Sequence, residues 1–311
     1  MSETKIGLVL SGGGAKGAYE IGVWRALKTM QVTDYIDGII GSSVGAMNAV
    51  LLDACGLKKA SALWDGLRQS DLLHMSQDKS YQSVETTISP MQTDTDYPRL
   101  SARDPEQQRI LQFYRYMSLI QNHVPKDALL QLATNAVHSG FPLTQEKINA
   151  LITQNVPLDK LNRRIFAVCT ESTSPWHTAV FDLAEYTPDE RRRIILASSA
   201  IPVVYEGTEG VRIRGKGYFD GGISCNTPCL QMHERGWTRT ITVWLHHKIM
   251  PAVLPPGHEN IDIIPPYSLG GHVGTIWVNR SKKRIDRMRG YYDTMQMQEQ
   301  ILAMVRRIRK E

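Results

Sequence analysis

The chain opens with an apolar run, Lys5 to Leu10, passes through a glycine-rich stretch, Ser11 to Ala18, and then places apolar residues at Tyr19, Val23, Ala26, Leu27 and Met30. The run predicts a buried strand and the later spacing an amphipathic helix, Ala18 to Met30. A second apolar run, Ile36 to Ile40, ends in Gly41-Ser42-Ser43-Val44-Gly45 and gives way to a helical pattern from Ala46 to Ser70, broken only by Gly56. Two successive strand–turn–helix units point to an α/β protein whose first two turns open at the C-terminal ends of neighbouring parallel strands. From Ser76 to Gln108 all periodicity disappears; the stretch is polar and carries Pro90, Pro98 and Pro105. A connection of that length inside a compact domain reads as a flap over the site or a surface insertion.

Helical spacing returns at Arg109 to Gln121, Lys126 to His138 and Thr144 to Thr153. Two strand-like runs follow, Arg164 to Thr170 and His177 to Leu183, then a helix from Pro188 to Ser199 with Asp189 and Glu190 in its first turn, where the helix dipole favours acids. Pro202 stops that helix and leaves the small residues Ala197 to Ala200 as a close-packing surface. Val211 to Asp220 alternates and ends in Asp220-Gly221-Gly222; Thr238 to His246 reads as a further buried strand. The tail repeats apolar residues at Ile285, Met288, Tyr292 and Met295, then at Leu302, Val305 and Ile308, predicting one amphipathic helix or two around Gly290.

Composition adds three constraints. A 42% hydrophobic content over 311 residues is ample for one large domain or two smaller ones. The four cysteines show neither metal-type nor secreted-framework spacing, so no metal site is expected and reduced thiols fit a cytoplasmic protein. The first apolar run is too short for a secretory leader, and no run of roughly twenty apolar residues occurs. Charge matters in one place. Between Ser281 and Glu311 nine Lys/Arg face four acids, and that excess equals the net charge of +5 of the whole chain. A basic amphipathic tail is compatible with peripheral contact to an anionic membrane, or with a helix docked on the core with its charges in water. No aromatic interleaving accompanies the basic residues, so nucleic-acid binding is not expected. The oligomeric state is not readable.

Gly41-x-Ser43-x-Gly45 between a strand and a helix is the pattern of a nucleophile elbow, in which glycines relieve the crowding around a serine pushed above the sheet edge; a capped βα turn is the plainer alternative. The Gly12-Gly13-Gly14 loop can present backbone N–H groups at a helix N-terminus to an anion. Gly12-Gly13-Gly14-Ala15-Lys16-Gly17 also satisfies the dinucleotide fingerprint G-x-G-x-x-G, which keeps a nucleotide-binding oxidoreductase open. Against it, the second strand ends in Gly41-Ser42-Ser43 and not in a ribose-binding acid. Read together, the two motifs make an oxyanion hole beside the Ser43 hydroxyl. Asp220, on a tight turn, is a candidate proton acceptor or simply an Asp-Gly turn residue. By chain order a Ser-His-Asp esterase or thioesterase would draw its imidazole from His246, His247 or His272.

Four motifs in this order, Gly12-Gly13-Gly14-x-Lys16-Gly17, Gly41-x-Ser43-x-Gly45, Ala197-Ser198-Ser199-Ala200-Ile201-Pro202 and Asp220-Gly221-Gly222, resemble the patatin-like phospholipase family. The resemblance spans roughly Lys5 to Leu245. It implies a three-layer α/β/α fold with a mainly parallel sheet and a Ser–Asp dyad, with Ser43 as nucleophile and Asp220 as proton acceptor. It further implies that Gly12, Gly13 and Gly14 form the oxyanion hole, supported by Lys16, Gly17, Gly41, Gly45, Gly221 and Gly222. The implied activity is hydrolysis of phospholipid or lysophospholipid acyl esters, without cofactor or metal. The expected organisation is a catalytic domain over residues 1–250, with the lid or insertion at 76–108, followed by a Pro/Gly-rich loop and basic amphipathic helix over 251–311. A non-catalytic lipid-binding protein keeping the same fold is the remaining alternative.

Overall fold

A computed structural model describes residues 6–68, 71, 145–173, 176–201, 210–249, 251–270, 275 and 278–309. The irregular stretch expected at 76–108, the helical segments Arg109 to Gln121 and Lys126 to His138, and His272 lie outside these residues. In chain order the strands are β1 (Ile6–Leu10), β2 (Ile36–Ser42), β3 (Arg164–Glu171), β4 (Thr178–Asp182), β5 (Val211–Ile213), β6 (Lys216–Asp220), β7 (Arg239–Val243) and β8 (Glu259–Ile263). The helices are α1 (Ala18–Thr29), α2 (Val44–Val50), α3 (Gly56–Gly66), α4 (Glu146–Asn155), α5 (Pro188–Ser198), α6 (Cys229–His233), α7 (Arg280–Gln296) and α8 (Gln298–Ile308).

The strands form one sheet in the order β5-β6-β3-β2-β1-β7-β8, with β4 on the other edge of β3. Its centre, from β3 through β2, β1 and β7 to β8, is parallel; β4, β5 and β6 join antiparallel. Strands covered on both faces need apolar side chains in both directions, which is why β1, β2 and β3 read as continuous apolar runs. Leu8, Leu10, Ile39, Ile165 and Ala167 point into the larger core with α1, α2 and α5. Their neighbours Val9, Ile40, Phe166 and Val168 point the other way, onto Met232 of α6, Trp237 and Trp244. The sheet therefore lies between two layers, as an α/β/α fold requires.

One detail of register positions the site. β2 runs along one edge of β3 as far as the pair Ser42↔Val168, and β6 arrives from the opposite direction on that same edge with the pair Cys169↔Asp220. The two strands meet end to end, β2 turning away at Ser43 and β6 stopping at Asp220.

Several sequence-based boundaries shift. The helix expected from Ala46 to Ser70 is two helices joined by a π-helical turn, Leu51–Cys55, after which Gly56 takes φ 71°. Val211 to Asp220 is a hairpin turning at Arg214 and Gly215, both at positive φ. β8 lies in the stretch expected to be loop. The tail is two helices, but they part at Met297; Gly290 lies inside α7, where it is needed for close approach. A Cβ on Gly22 of α1 would overlap the Arg287 carbonyl, and one on Gly290 would overlap that of Tyr19, so the two backbones cross in direct contact.

The faces of α7 are reversed relative to the expected amphipathic helix. Its buried residues are Lys283, Asp286, Gly290 and Thr294, whereas Ile285, Met288 and Tyr292 are exposed. Lys283 is buried because its ammonium caps the end of α3, donating to the carbonyls of Trp64 (2.6 Å), Asp65 (3.2 Å) and Leu67. α8 is conventional, burying Ile301, Met304 and Val305. Among the described residues no helix is long and apolar enough to cross a membrane.

Candidate active site

Ser43 stands at φ 54°, ψ −123°, a backbone region that side-chain-bearing residues rarely occupy. Its surroundings hold it there. Gly41 and Gly45 lie so close that a Cβ on the first would overlap the backbone of the second, and a Cβ on Gly45 would overlap the Leu10 carbonyl of β1. Both glycines of the motif are thus required by the approach of β2, the elbow and β1. The Ser43 amide donates to Ser198 Oγ at 3.0 Å, and that hydroxyl donates to the Val168 carbonyl at 2.6 Å. α5 thereby ties the elbow to β3.

The Ser43 hydroxyl donates directly to Asp220 Oδ2 at 2.7 Å, with no imidazole between them. The other carboxylate oxygen, Oδ1, accepts the Gly222 amide at 2.7 Å. The backbone of Asp220 is pinned as well: its N–H donates to the Ala200 carbonyl at 2.9 Å, and its carbonyl accepts from Thr170 Oγ1 at 2.8 Å. Gly221 fits tightly beneath, between the Val168 carbonyl and Ser42 Oγ. Burial of the carboxyl raises its pKa from 3.8 to about 6, against the opposing pull of the Ser43 and Gly222 hydrogen bonds. Of the histidines proposed for a triad, His246 is half-buried and His247 exposed, both beyond the end of β7.

The glycine-rich loop lies alongside. A Cβ on Gly12 would stand 3.2 Å from that of Ser43 and would overlap Asn226 Oδ1. The Gly12 amide donates to the Asn226 carbonyl at 3.0 Å, and Asn226 Nδ2 donates back to the Gly12 carbonyl at 3.3 Å. The first amide of the expected Gly12-Gly13-Gly14 oxyanion loop is thus engaged within the protein. Gly13 and Gly14 follow, the latter at φ 56°, and lead into the turn Gly14–Gly17. Gly17 packs against Val44 and Asn48 of α2.

Beneath the loop lie buried ionisable groups. Lys16 is 1% exposed, near Lys282 and Asp286 of α7. Burial first, then Lys282, lowers its pKa to about 7, while Asp286 acts the other way. Glu20 is fully buried and its pKa is raised by burial to about 8, opposed by hydrogen bonds from Asn48 and the Ser11 backbone. Asn48 Nδ2 donates to Glu20 Oε2 (2.7 Å) and to the Gly17 carbonyl (2.9 Å), and Asn48 Oδ1 accepts from Trp64 Nε1 (2.8 Å). One asparagine, five residues after Ser43, therefore joins α1, α2, α3 and the loop.

Ser198, Asn226, Glu20 and Asn48 carry no assigned role in the sequence reading. Ser198 lies inside a motif that was visible, Ala197 to Pro202, but its composition indicated only close packing. Asn226 follows the Asp220-Gly221-Gly222 turn with no periodic signal.

Taken as a class, this is a doubly covered α/β protein with a strained serine elbow at a strand end and a buried carboxyl on its hydroxyl. The sequence profile of the patatin-like phospholipases matches residues 8–233, and the chain belongs to that family of lipid acyl hydrolases. Among solved structures, VipD from Legionella pneumophila superimposes with a TM-score of 0.52 at 17% identity, covering 96% of this chain and 67% of VipD. The type III effector protein ExoU gives a TM-score of 0.45 at 15% identity, with 96% of this chain and 53% of ExoU covered. The chain thus spans about two thirds of the first and about half of the second. No curated protein sequence matches it.

Proposed function

We propose that the chain cleaves fatty-acyl esters of phospholipids or lysophospholipids with Ser43 as nucleophile and Asp220 as its proton acceptor. The observation that carries this reading is the 2.7 Å hydrogen bond from the Ser43 hydroxyl to a carboxylate whose pKa is raised to about 6. An ordinary aspartate is too weak a base for this work; burial brings this one closer to the pH at which it operates. The Ser43 proton passes to Asp220 Oδ2 as Oγ attacks the ester carbonyl carbon, and the carbonyl oxygen takes up the negative charge. We assign the donors for that charge to the Gly13 and Gly14 amides, with Gly12 anchoring their loop to Asn226. Collapse of the intermediate breaks the ester C–O bond, and the leaving alcohol takes the proton from Asp220. Water then attacks the acyl-Ser43 carbonyl carbon with Asp220 again accepting the proton; the C–Oγ bond breaks, Asp220 returns that proton to Ser43 Oγ, and the fatty acid leaves. No cofactor enters these steps, and the lipid is met at a membrane surface.

Labelling by a fluorophosphonate probe tests the reading, because the probe reacts only with an activated serine. The protein should label stoichiometrically, Ser43→Ala should not label, and Asp220→Asn should label at least about a hundredfold more slowly. Undiminished labelling of Ser43→Ala, or of Asp220→Asn, would overturn the assignment.

A further inference from the structure

We infer that the outer face of α7, a helix whose first turns adjoin the glycine-rich loop through their inner side, is a docking surface for an anionic lipid membrane. The inference rests on the lipid-hydrolase reading for its occupant and on the reversed faces of α7 for its location. Ile285, Met288 and Tyr292 are 47%, 50% and 59% exposed, and only two other large apolar side chains, Leu230 and Val253, are exposed among the described residues. Their spacing of three and four places them in one stripe along the helix. α7 docks through its other side, with Lys283 on the end of α3 and Gly290 against Tyr19, so among the described residues the stripe is not the face that holds the helix to the core.

The charges around the stripe select the partner. Arg280 and Arg284 are exposed at the N-terminal end of α7. The acids of the helix are turned inward: Asp286 is 1% exposed, and Asp293 accepts from the hydroxyls of Tyr19 (2.9 Å) and Tyr267 (2.8 Å). An apolar stripe with a tyrosine, with two exposed arginines at one end and no exposed acid among the residues of α7, suits the boundary between acyl chains and anionic headgroups. The start of the helix meets the glycine-rich loop through its inner side. Thr275, just ahead of α7, lies against Gly14, and Lys282 and Asp286 adjoin Lys16 of the same loop.

The experiment compares the full-length protein with Ile285→Ser/Met288→Ser/Tyr292→Ser and with Arg280→Gln/Arg284→Gln. Each is cosedimented with phosphatidylcholine vesicles, with and without phosphatidylglycerol, and assayed on those vesicles and on a soluble short-chain ester. The apolar variant should bind both vesicle types at least about tenfold more weakly. The charge variant should lose roughly thirtyfold in affinity for the anionic vesicles alone. Both should hydrolyse the soluble ester like the native protein while losing phospholipid hydrolysis in step with binding. Native vesicle affinity in both variants would overturn the inference, as would a change in oligomeric state without a change in vesicle binding. A native protein that binds vesicles through this face yet cleaves neither ester would support the surface and overturn the hydrolase reading.

Discussion

The amide of Ser43 donates a hydrogen bond to the hydroxyl of Ser198 at 3.0 Å, across 155 residues of sequence, and the same hydroxyl donates in turn to the Val168 carbonyl. The strained serine is therefore held by its backbone from α5 as well as by its side chain from Asp220. Ser198→Ala should leave a buried N–H without its acceptor, costing about 1–3 kcal/mol in urea unfolding. It should also lower kcat about tenfold or more with KM little changed, since the elbow, and not a substrate contact, is what loosens.

Asp220 sets a pH dependence of definite sign. In its proposed role of proton acceptor it works when ionised, so that reading requires kcat/KM to fall as pH drops through about 6. The stability effect is opposite to that of a paired carboxylate. A folded pKa above the ordinary 3.8 means that the folded protein holds the proton more tightly than the unfolded chain. Ionisation then destabilises the fold increasingly from about pH 4 to about pH 6, by on the order of 3 kcal/mol in total. Asp220→Asn should be inactive and more stable than the native protein at pH 7, with the difference vanishing near pH 3 in thermal melts.

Glu20 behaves in the same direction over a wider window, from the ordinary carboxylate range to about 8. At neutral pH it is a protonated acid inside the Asn48–Trp64 network. Glu20→Gln should retain activity and gain in melting temperature most at pH 8, whereas Asn48→Ala should lose about 2–4 kcal/mol because several buried partners are orphaned together. Equal destabilisation by Glu20→Gln at pH 5 and pH 8 would contradict the protonated state.

Asp53 in the π turn is buried against Arg163, whose guanidinium donates to it at 2.9 Å and also to the carbonyls of Ile36 (2.7 Å) and Thr33 (3.1 Å). Asp53→Ala should destabilise by about 3–5 kcal/mol, measured by urea titration, because it strands a partly buried cation at the start of both β2 and β3.

The α1–α7 crossing allows no added carbon. Gly22→Ala and Gly290→Ala should each cost about 1–3 kcal/mol or more as the backbones are forced apart, and a circular-dichroism melt would show it. Gly66→Ala, where a Cβ meets nothing, is the matched control.

How much was legible follows from where each signal resides. β1, β2, β3 and the elbow announce themselves because a strand covered on both faces must be apolar throughout, and a βα turn this tight must use glycine. β8 was missed because Glu259–Ile263 is half polar, its Asn260 accepting hydroxyl protons from Thr240 and Thr242 of β7. The spacing of α7 marks it as amphipathic, but periodicity alone does not give its inward side: the burial of Lys283, Asp286 and Gly290 depends on the end of α3 and the backbone of α1. Ser43 and Asp220 were singled out by their local turns. Ser198 and Asn226 act through partners far away in sequence, which no local pattern encodes.

The end-to-end meeting of β2 and β6 makes β3 a ruler. One peptide step separates Val168 from Cys169, about 3.3 Å of strand, and that step spaces the ends of the strands bearing the serine and the carboxylate. The two groups are 177 residues apart in the chain, yet their separation is written into the hydrogen-bond ladder of a single strand. The serine and the carboxylate therefore stay in register for as long as β3 runs unbroken through Val168 and Cys169.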